Sequence, residues 1–383
     1  MQTNQEAAAA RAPRVPLTRQ RAGGLGVASL RRGRCEEYFV SAVPEEGEGV
    51  AAVLAKVAAA VRDRGARIIA QEVLGLSNRG ETGLQRLREA FGEVSWPVMW
   101  IEDGVGAAFA GTQLWAMTGG ELTPVRLGGR LVGNVFTSEG VRYCRMSDVR
   151  PTDSGAPRGA QASQAYAQMQ AGLKVAGMDF SEVGRTWLYV DRILEWYGEL
   201  NRARDGFYRA QGVYRGLVPA STGVSGSNGL GVAMIAGLLA VKSAGRPVRV
   251  TAVPSPLQCP ALQYGSSFSR AVEIEETGCR RLFVSGTASI AAAGQTQHVG
   301  QVGAQVERTM AVVEAILTLR GMGWGEVTRA IAYFKDLKEA GAFAAYTEGG
   351  GLGEMPVPVI QSDICRDDLL FEIELDAIAG TPG

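Results

Sequence analysis

One internal repeat constrains the fold of this chain more than any other feature. Residues 159–193 align with residues 303–337 without a gap, at a constant offset of 144. Gly159, Ala160 and Gln161 meet Gly303, Ala304 and Gln305. Gly177 and Met178 meet Gly321 and Met322, and Glu182 and Val183 meet Glu326 and Val327. Arg185 meets Arg329, and Tyr189 meets Tyr333. Each copy reads as an amphipathic helix followed by a strand. In the second copy VERTMAVVEAILTLRGMGW carries apolar residues at helical spacing and stops at Gly321, and the strand TRAIAYFKDL follows. In the first copy the strand is GRTWLYVDRI.

A short strand precedes each helix: VRYCRMSDV (141–149) in the middle copy and RLFVSGTASI (281–290) in the last. A more degraded third copy opens the chain. It reads EYFVSAVP (37–44), then a helix through VAAVLAKVAAAVRDRG (50–65), then the strand RIIAQEVLGL (67–76). Tyr38, Phe39, Val40 and Ser41 resemble Leu282, Phe283, Val284 and Ser285. A second helix follows in the modules, as in ETGLQRLREAF (81–91) and ILEWYGELNRARDGFYRAQG (193–212), and closing strands come after it. The expected organisation is α+β: a flexible tail over 1–34 and three β-α-β modules over 35–128, 129–250 and 251–383. Related sheet-plus-helix modules bury their faces best as a pseudo-trimer, with sheets inward and helices outside.

Composition removes several classes of function. Lys+Arg and Asp+Glu both number 39, so no basic footprint for nucleic acid or an anionic membrane is present. The one histidine, His298, rules out sites built on histidine clusters. It sits in GQTQHVG and reads as a turn or helix-entry residue. Five widely spaced cysteines without a CxxC read as reduced thiols. The longest apolar stretch, GVAMIAGLLAV (231–241), is short of the roughly 20 residues of a spanning helix. No signal peptide is visible, so a cytoplasmic chain without membrane contact is expected.

Four stretches can carry chemistry. The strand LLFEIELDAI (369–378) alternates, with Phe371, Ile373 and Leu375 on one face and Glu372, Glu374 and Asp376 on the other. That acidic face is either solvated or turned into a site between modules, where desolvation keeps a carboxyl protonated. PASTGVSGSNGLG (219–231) lacks the GK[ST] of a phosphate loop. It reads as a turn, or as a loop whose amides and hydroxyls hold a small anion. Arginines among aromatics in 184–208, and Arg270 in YGSSFSRAVEI (264–274), suit carboxylate recognition by bidentate guanidinium pairing.

The final third, RLFVSGTASI…HVGQVGAQVERTMAVVEAIL…VTRAIAYFKDL…ICRDDLLFEIELDAI, resembles a YjgF/RidA-type module. That resemblance implies a chorismate-mutase-like subunit and a trimeric arrangement around a central barrel, with sites at the interfaces. The arginine of the imine-deaminase members falls at Val357 here. A narrower set is similar to the chorismatases: RTWLYV, ILEWYGELNRAR and FY, then PASTG, YGSSFSRAVE, FVSGTASI and DICRDDLLFEIELDA, from about residue 130 to the end. The loop continues as PASTGVSGSNG rather than the expected PASTGIG, and the first module keeps no acid or arginine of the pattern.

Chorismatases cleave the enolpyruvyl ether of chorismate with water. The resemblance therefore implies chorismate as the small-molecule partner, pyruvate as one product, and a hydroxybenzoate or a dihydroxycyclohexadiene carboxylate as the other. It implies no metal or organic cofactor, and leaves a monomer or a homo-oligomer open. It places the catalytic acid at Glu372, with Glu374 as the rival on the same face. It places Arg185 and Arg270, then Arg204, on the substrate's carboxylates, with Tyr189, Thr222 and Thr287 orienting carboxylates or water. Gln361 and Cys365 lie near the acidic strand and influence which product leaves. A non-catalytic protein of this fold that holds a small carboxylate is the alternative, and an imine deaminase the more distant one.

Overall fold

The same eight-element order, β-β-β-α-β-α-β-β, occurs three times in the computed structural model, which describes residues 17–102, 108–348, 352 and 355–380. The first module holds β1 (Leu17–Ala22), β2 (Leu25–Arg32), β3 (Cys35–Ala42), α1 (Val50–Asp63), β4 (Arg67–Leu74), α2 (Thr82–Phe91), β5 (Val98–Ile101) and β6 (Gly111–Thr118). The second holds β7 (Thr123–Leu127), β8 (Arg130–Ser138), β9 (Val141–Val149), α3 (Arg158–Val175), β10 (Val183–Val190), α4 (Ile193–Ala210), β11 (Ala220–Ser225) and β12 (Met234–Ser243). The third holds β13 (Arg249–Val253), β14 (Ala271–Glu276), β15 (Cys279–Ala288), α5 (Val302–Leu319), β16 (Val327–Phe334), α6 (Gly341–Glu348), β17 (Val359–Gln361) and β18 (Phe371–Gly380).

Each module makes one six-stranded sheet with one spatial order: β1-β2-β3-β6-β4-β5, its equivalent β7-β8-β9-β12-β10-β11, and β13-β14-β15-β18-β16-β17. The last pair in each is parallel, because a helix crosses between its two strands. The other neighbours are antiparallel. The fourth strand of every module begins with a bulge against the sixth, between Ile68 and Ala70, Val183 and Arg185, and Val327 and Arg329. A bulge re-aims the side chain that follows it, which here is Arg185 in one copy and Arg329 in the next.

The chain departs from the expected boundaries at three points. Residues 17–32, expected in the tail, form the hairpin β1–β2, with Gly23 and Gly24 as its two-residue turn at φ 41° and 56°. Those angles are open to glycine at little cost, and two glycines between strands are a hairpin signal. The remainder of that tail, residues 1–16, lies outside the described residues. Strand β7 joins the second sheet before residue 129, and β13 straddles the 250/251 boundary in the third.

Each sheet has one face under its own helices. In the second module Tyr166, Met169 and Leu173 of α3 and Trp196 and Leu200 of α4 pack on Leu188, Val190 and Leu238. In the third, Met310, Val313 and Leu317 of α5 pack on Phe371, Ile373 and Leu375. The opposite faces meet in a shared interior that draws Ile69 and Met99 from the first sheet, Tyr143 and Trp187 from the second, and Ile274 and Ile331 from the third. Tyr189 and Tyr333, equivalent positions of the repeat, meet there with hydroxyls 3.2 Å apart. Among the described residues no helix is long and apolar enough to cross a membrane.

Candidate active site

The acidic face of β18 points into this interior rather than into solvent. Glu374 is fully buried and Glu372 is 5% exposed. Two arginines, one from each repeat copy, hold Glu374. Arg185 Nη2 lies 2.6 Å from Glu374 Oε2, and Arg329 Nη2 lies 2.7 Å from Oε1. Trp187 Nε1 also donates to Glu374 Oε1, at 3.2 Å. The guanidiniums of Arg145, Arg185 and Arg329 lie over the Trp187 ring, at 4.0, 4.9 and 5.4 Å from its centroid. Glu72 of the first module closes the network on Arg145 and Arg329. The first module thus supplies an acid to the axial network, although none was expected from it. Burial alone would raise the Glu374 pKa, but Arg329 and Arg185 hold it below the usual carboxylate range.

Glu372 is in the opposite situation. No ion pair reaches it among the described residues. Burial, with the negative charge of Glu374 two residues away, pushes it up to about 8 against the weaker pull of Arg185 and Arg270. It is a neutral acid at pH 7. Its approach to β15 depends on a bulge: one extra residue between Val284 and Thr287 breaks the register with β18. Gly286 sits in that bulge, and a Cβ there would lie 2.0 Å from Glu372 Oε1.

Glu372 opens on a cavity of about 220 Å³ at the seam between the second and third modules. The seam is stitched by backbone. Ala220 of β11 pairs with Ser269, Ser269 N donates to Pro219 O at 3.0 Å, and Ser221 N donates to Ser285 Oγ at 2.9 Å. Leu188, Leu200, Ala288 and Ile290 give the cavity an apolar side. Its cations are Arg204, Arg270 and Arg366. None of the three has an acidic partner within ion-pair distance among the described residues. Arg204 Nη2 donates to Asn201 Oδ1 at 2.6 Å, Arg270 Nε to Cys259 O at 3.0 Å, and Arg366 Nη1 to Gly294 O at 2.8 Å. Buried Nε of Arg204 and Nη2 of Arg270 have no hydrogen-bond partner among the described residues. Unpaired buried guanidinium nitrogens in a cavity are prepared for an anionic ligand.

Of the residues expected in the site, Glu372, Arg204, Arg270 and Cys365 line this cavity. Burial and the neighbouring Glu372 push the Cys365 thiol up to about 12, so it is neutral. Arg185 is not in the lining: its Nη2 is held by Glu374, while its buried Nε and Nη1 have no hydrogen-bond partner among the described residues. Thr222 is in the same hidden layer: its Oγ1 accepts from Arg185 Nη2 at 2.6 Å and from Gly286 N at 3.0 Å. Thr287 Oγ1 donates to Ser285 O at 2.8 Å within the bulge. Tyr189 is turned to Tyr333 in the axial interior, and Gln361 is half-buried on β17 outside the lining. Residues 220–225, expected as a turn or anion loop, form strand β11. The cavity also takes residues that were not expected in the site: Tyr197 and Asn201 of α4, Tyr264, Phe268 and Arg366. Tyr264 and Phe268 lie in the same short stretch as Arg270, which was the available signal. Among the described residues no group of His, Cys, Asp and Glu is placed to hold a metal.

Fold and site together define a class: an α+β protein with three repeated modules in one chain and a cavity, lined by an unpaired acid and three arginines, at the seam between the second and third. Among known proteins, the chain is similar to chorismatases. A curated chorismatase from Streptomyces rapamycinicus is 27% identical over 265 residues, 62% of this chain and 76% of its own length. A chorismatase crystal structure superposes with a TM-score of 0.59 at 18% identity, covering 81% of this chain and 92% of that one. The YjgF gene product of E. coli aligns with 33% of this chain and 98% of its own length, at 18% identity and a TM-score of 0.28. No family model matches the chain.

Proposed function

We propose that the chain cleaves the enolpyruvyl ether of chorismate, with Glu372 as the proton donor. One observation carries the reading: a carboxyl held neutral by burial faces a cavity whose cations lack acidic partners. Chorismate is a dicarboxylate with an acid-labile enol ether. Its charges need cations, and buried Arg204 and Arg270 with half-buried Arg366 supply them. Its ring suits the side formed by Leu188, Leu200 and Ile290.

The step balances without a cofactor. Glu372 gives its proton to the terminal methylene carbon, and the carbon bearing the ether oxygen becomes an oxocarbenium ion. The Glu372 carboxylate left behind stabilises that cation at short range. Water, or a ring hydroxyl of the substrate, attacks the cation and returns a proton to Glu372. The adduct formed by water collapses to pyruvate and the ring alcohol. Glu374 is unsuited to the donor's part, because its ion pairs keep it ionised. Arg185 and Thr222 serve by fixing Glu374 and the bulge at Gly286. Val357 in the arginine position of the imine deaminases counts against that chemistry.

A lactate-dehydrogenase-coupled assay with chorismate tests the reading, with chromatography of the ring product. Pyruvate above the spontaneous decay of chorismate is the expected result, and the ring product separates hydroxybenzoates from the dihydroxycyclohexadiene carboxylate. Thermal stabilisation by chorismate without pyruvate would overturn the enzyme reading in favour of a binding protein.

A further inference from the structure

We propose that Tyr264 is a positioning residue that clamps Arg270 and Arg366 into a double-guanidinium seat for one carboxylate of the substrate. The inference rests on the reading of the pocket given above and deepens it. Tyr264 ends a short 3-10 turn (Ala261–Tyr264) and lines the cavity. The guanidinium carbons of Arg270 and Arg366 each lie 5.3 Å from its ring centroid. Arg270 also lies over Phe268, at 5.6 Å.

Two like charges over one ring repel each other unless something offsets them. The negative face of the ring does so in part, and a bound anion completes the balance. The anchors fit that purpose. Arg270 spends Nε on Cys259 O and keeps a buried Nη2 without a hydrogen-bond partner among the described residues. Arg366 spends Nη1 on Gly294 O. Gly294 in turn backs the clamp: it has φ 89°, and a Cβ there would lie 3.2 Å from Tyr264 Cδ1. One ring thus ties together three separate segments, the 261–270 stretch, the turn at Gly294 and the approach to β18. Arg204 comes from α4 of the other module and is free to take the second carboxylate.

The test compares wild type with Tyr264→Phe, Tyr264→Leu, Arg366→Gln and the Tyr264→Leu/Arg366→Gln double variant. Both KM and kcat for chorismate, and the Kd of the rigid dicarboxylate isophthalate by calorimetry, are measured for each. Tyr264→Phe keeps the ring and is expected within about twofold of wild type in KM and Kd. Tyr264→Leu and Arg366→Gln are each expected to raise both by about tenfold, with kcat falling less than about threefold. The double variant is expected to be little worse than either single one, because both break the same seat. Arg366 is half-buried, so its variant decides the matter even where Tyr264→Leu fails to fold. An unchanged KM and Kd in both single variants, a Phe variant as damaged as the Leu variant, or full additivity would overturn the clamp. If wild type leaves chorismate intact, the chorismate reading falls but the isophthalate series still decides. The same ordering of Kd upholds the clamp, and equal Kd values or no binding by wild type overturn it.

Discussion

Two carboxyls two residues apart on one strand face have opposite states because their neighbours differ. Glu374 has two arginines within 2.7 Å; Glu372 has none at that range and feels the charge of Glu374. The alternation of β18 put both acids on one face in the sequence. It could not say which was already paired, since Arg185 lies 189 residues before Glu374. The same blindness made Arg185 look like a substrate ligand and gave Arg366, next to Cys365, no part in the site. A pH profile follows from the Glu372 value. The donor works protonated, so kcat/KM is expected to hold below about 8 and to fall tenfold per pH unit above it. Stability has a matching sign. The unfolded chain loses the Glu372 proton near the ordinary 4.5, the folded chain only near 8, so in that window the folded state binds the extra proton and loses stability as pH rises. Glu372→Gln is therefore expected to melt higher than wild type at pH 8 and nearly level with it at pH 4. An equal difference at both values, read by thermal denaturation, would contradict the buried neutral acid.

Helices and central strands were legible because the repeat and the hydrophobic period agreed. The hairpin β1–β2 was hidden by its composition: LTRQRA is polar and four of its six residues are exposed, as an edge strand permits. Its Gly23–Gly24 turn was the legible part. Bulges left no mark that periodicity detects, yet they decide the site. At β15 the bulge brings Gly286 under Glu372, with no room for a methyl group. Gly286→Ala is expected to fold with little loss of stability, since the atom it strikes is a side-chain end. It is expected to lower kcat by about 10²-fold through displacement of the acid. Full activity in the pyruvate assay would show that the contact does not set the geometry.

Three seams exist in the molecule, and the register shows why one of them carries the acid. Glu372 pairs with Tyr333; at the same place Ile235 pairs with Tyr189 and Gly111 with Leu74. The pseudo-threefold body therefore carries a carboxyl at one of its three equivalent positions. Its axis is held by charge as well as by apolar packing, with Glu72, Glu374 and Asp376 around Arg329. Burial raises Asp376 to about 6 against the pull of Arg329, so on acidification it takes up a proton before Glu374, which Arg329 and Arg185 hold low. Removing one partner of a buried network leaves uncompensated charge. Arg329→Met is expected to cost about 3–5 kcal/mol in urea unfolding. A loss below about 1 kcal/mol would mean that the sheets are held by their apolar faces alone.

The central claim is that Glu372 delivers the proton that opens the enol ether. Its most direct test is kcat for pyruvate release from saturating chorismate, wild type against Glu372→Gln. The account expects a fall of about 10²–10⁴-fold with chorismate binding retained, as for loss of a general acid. A Glu372→Gln enzyme within about threefold of wild type would contradict it.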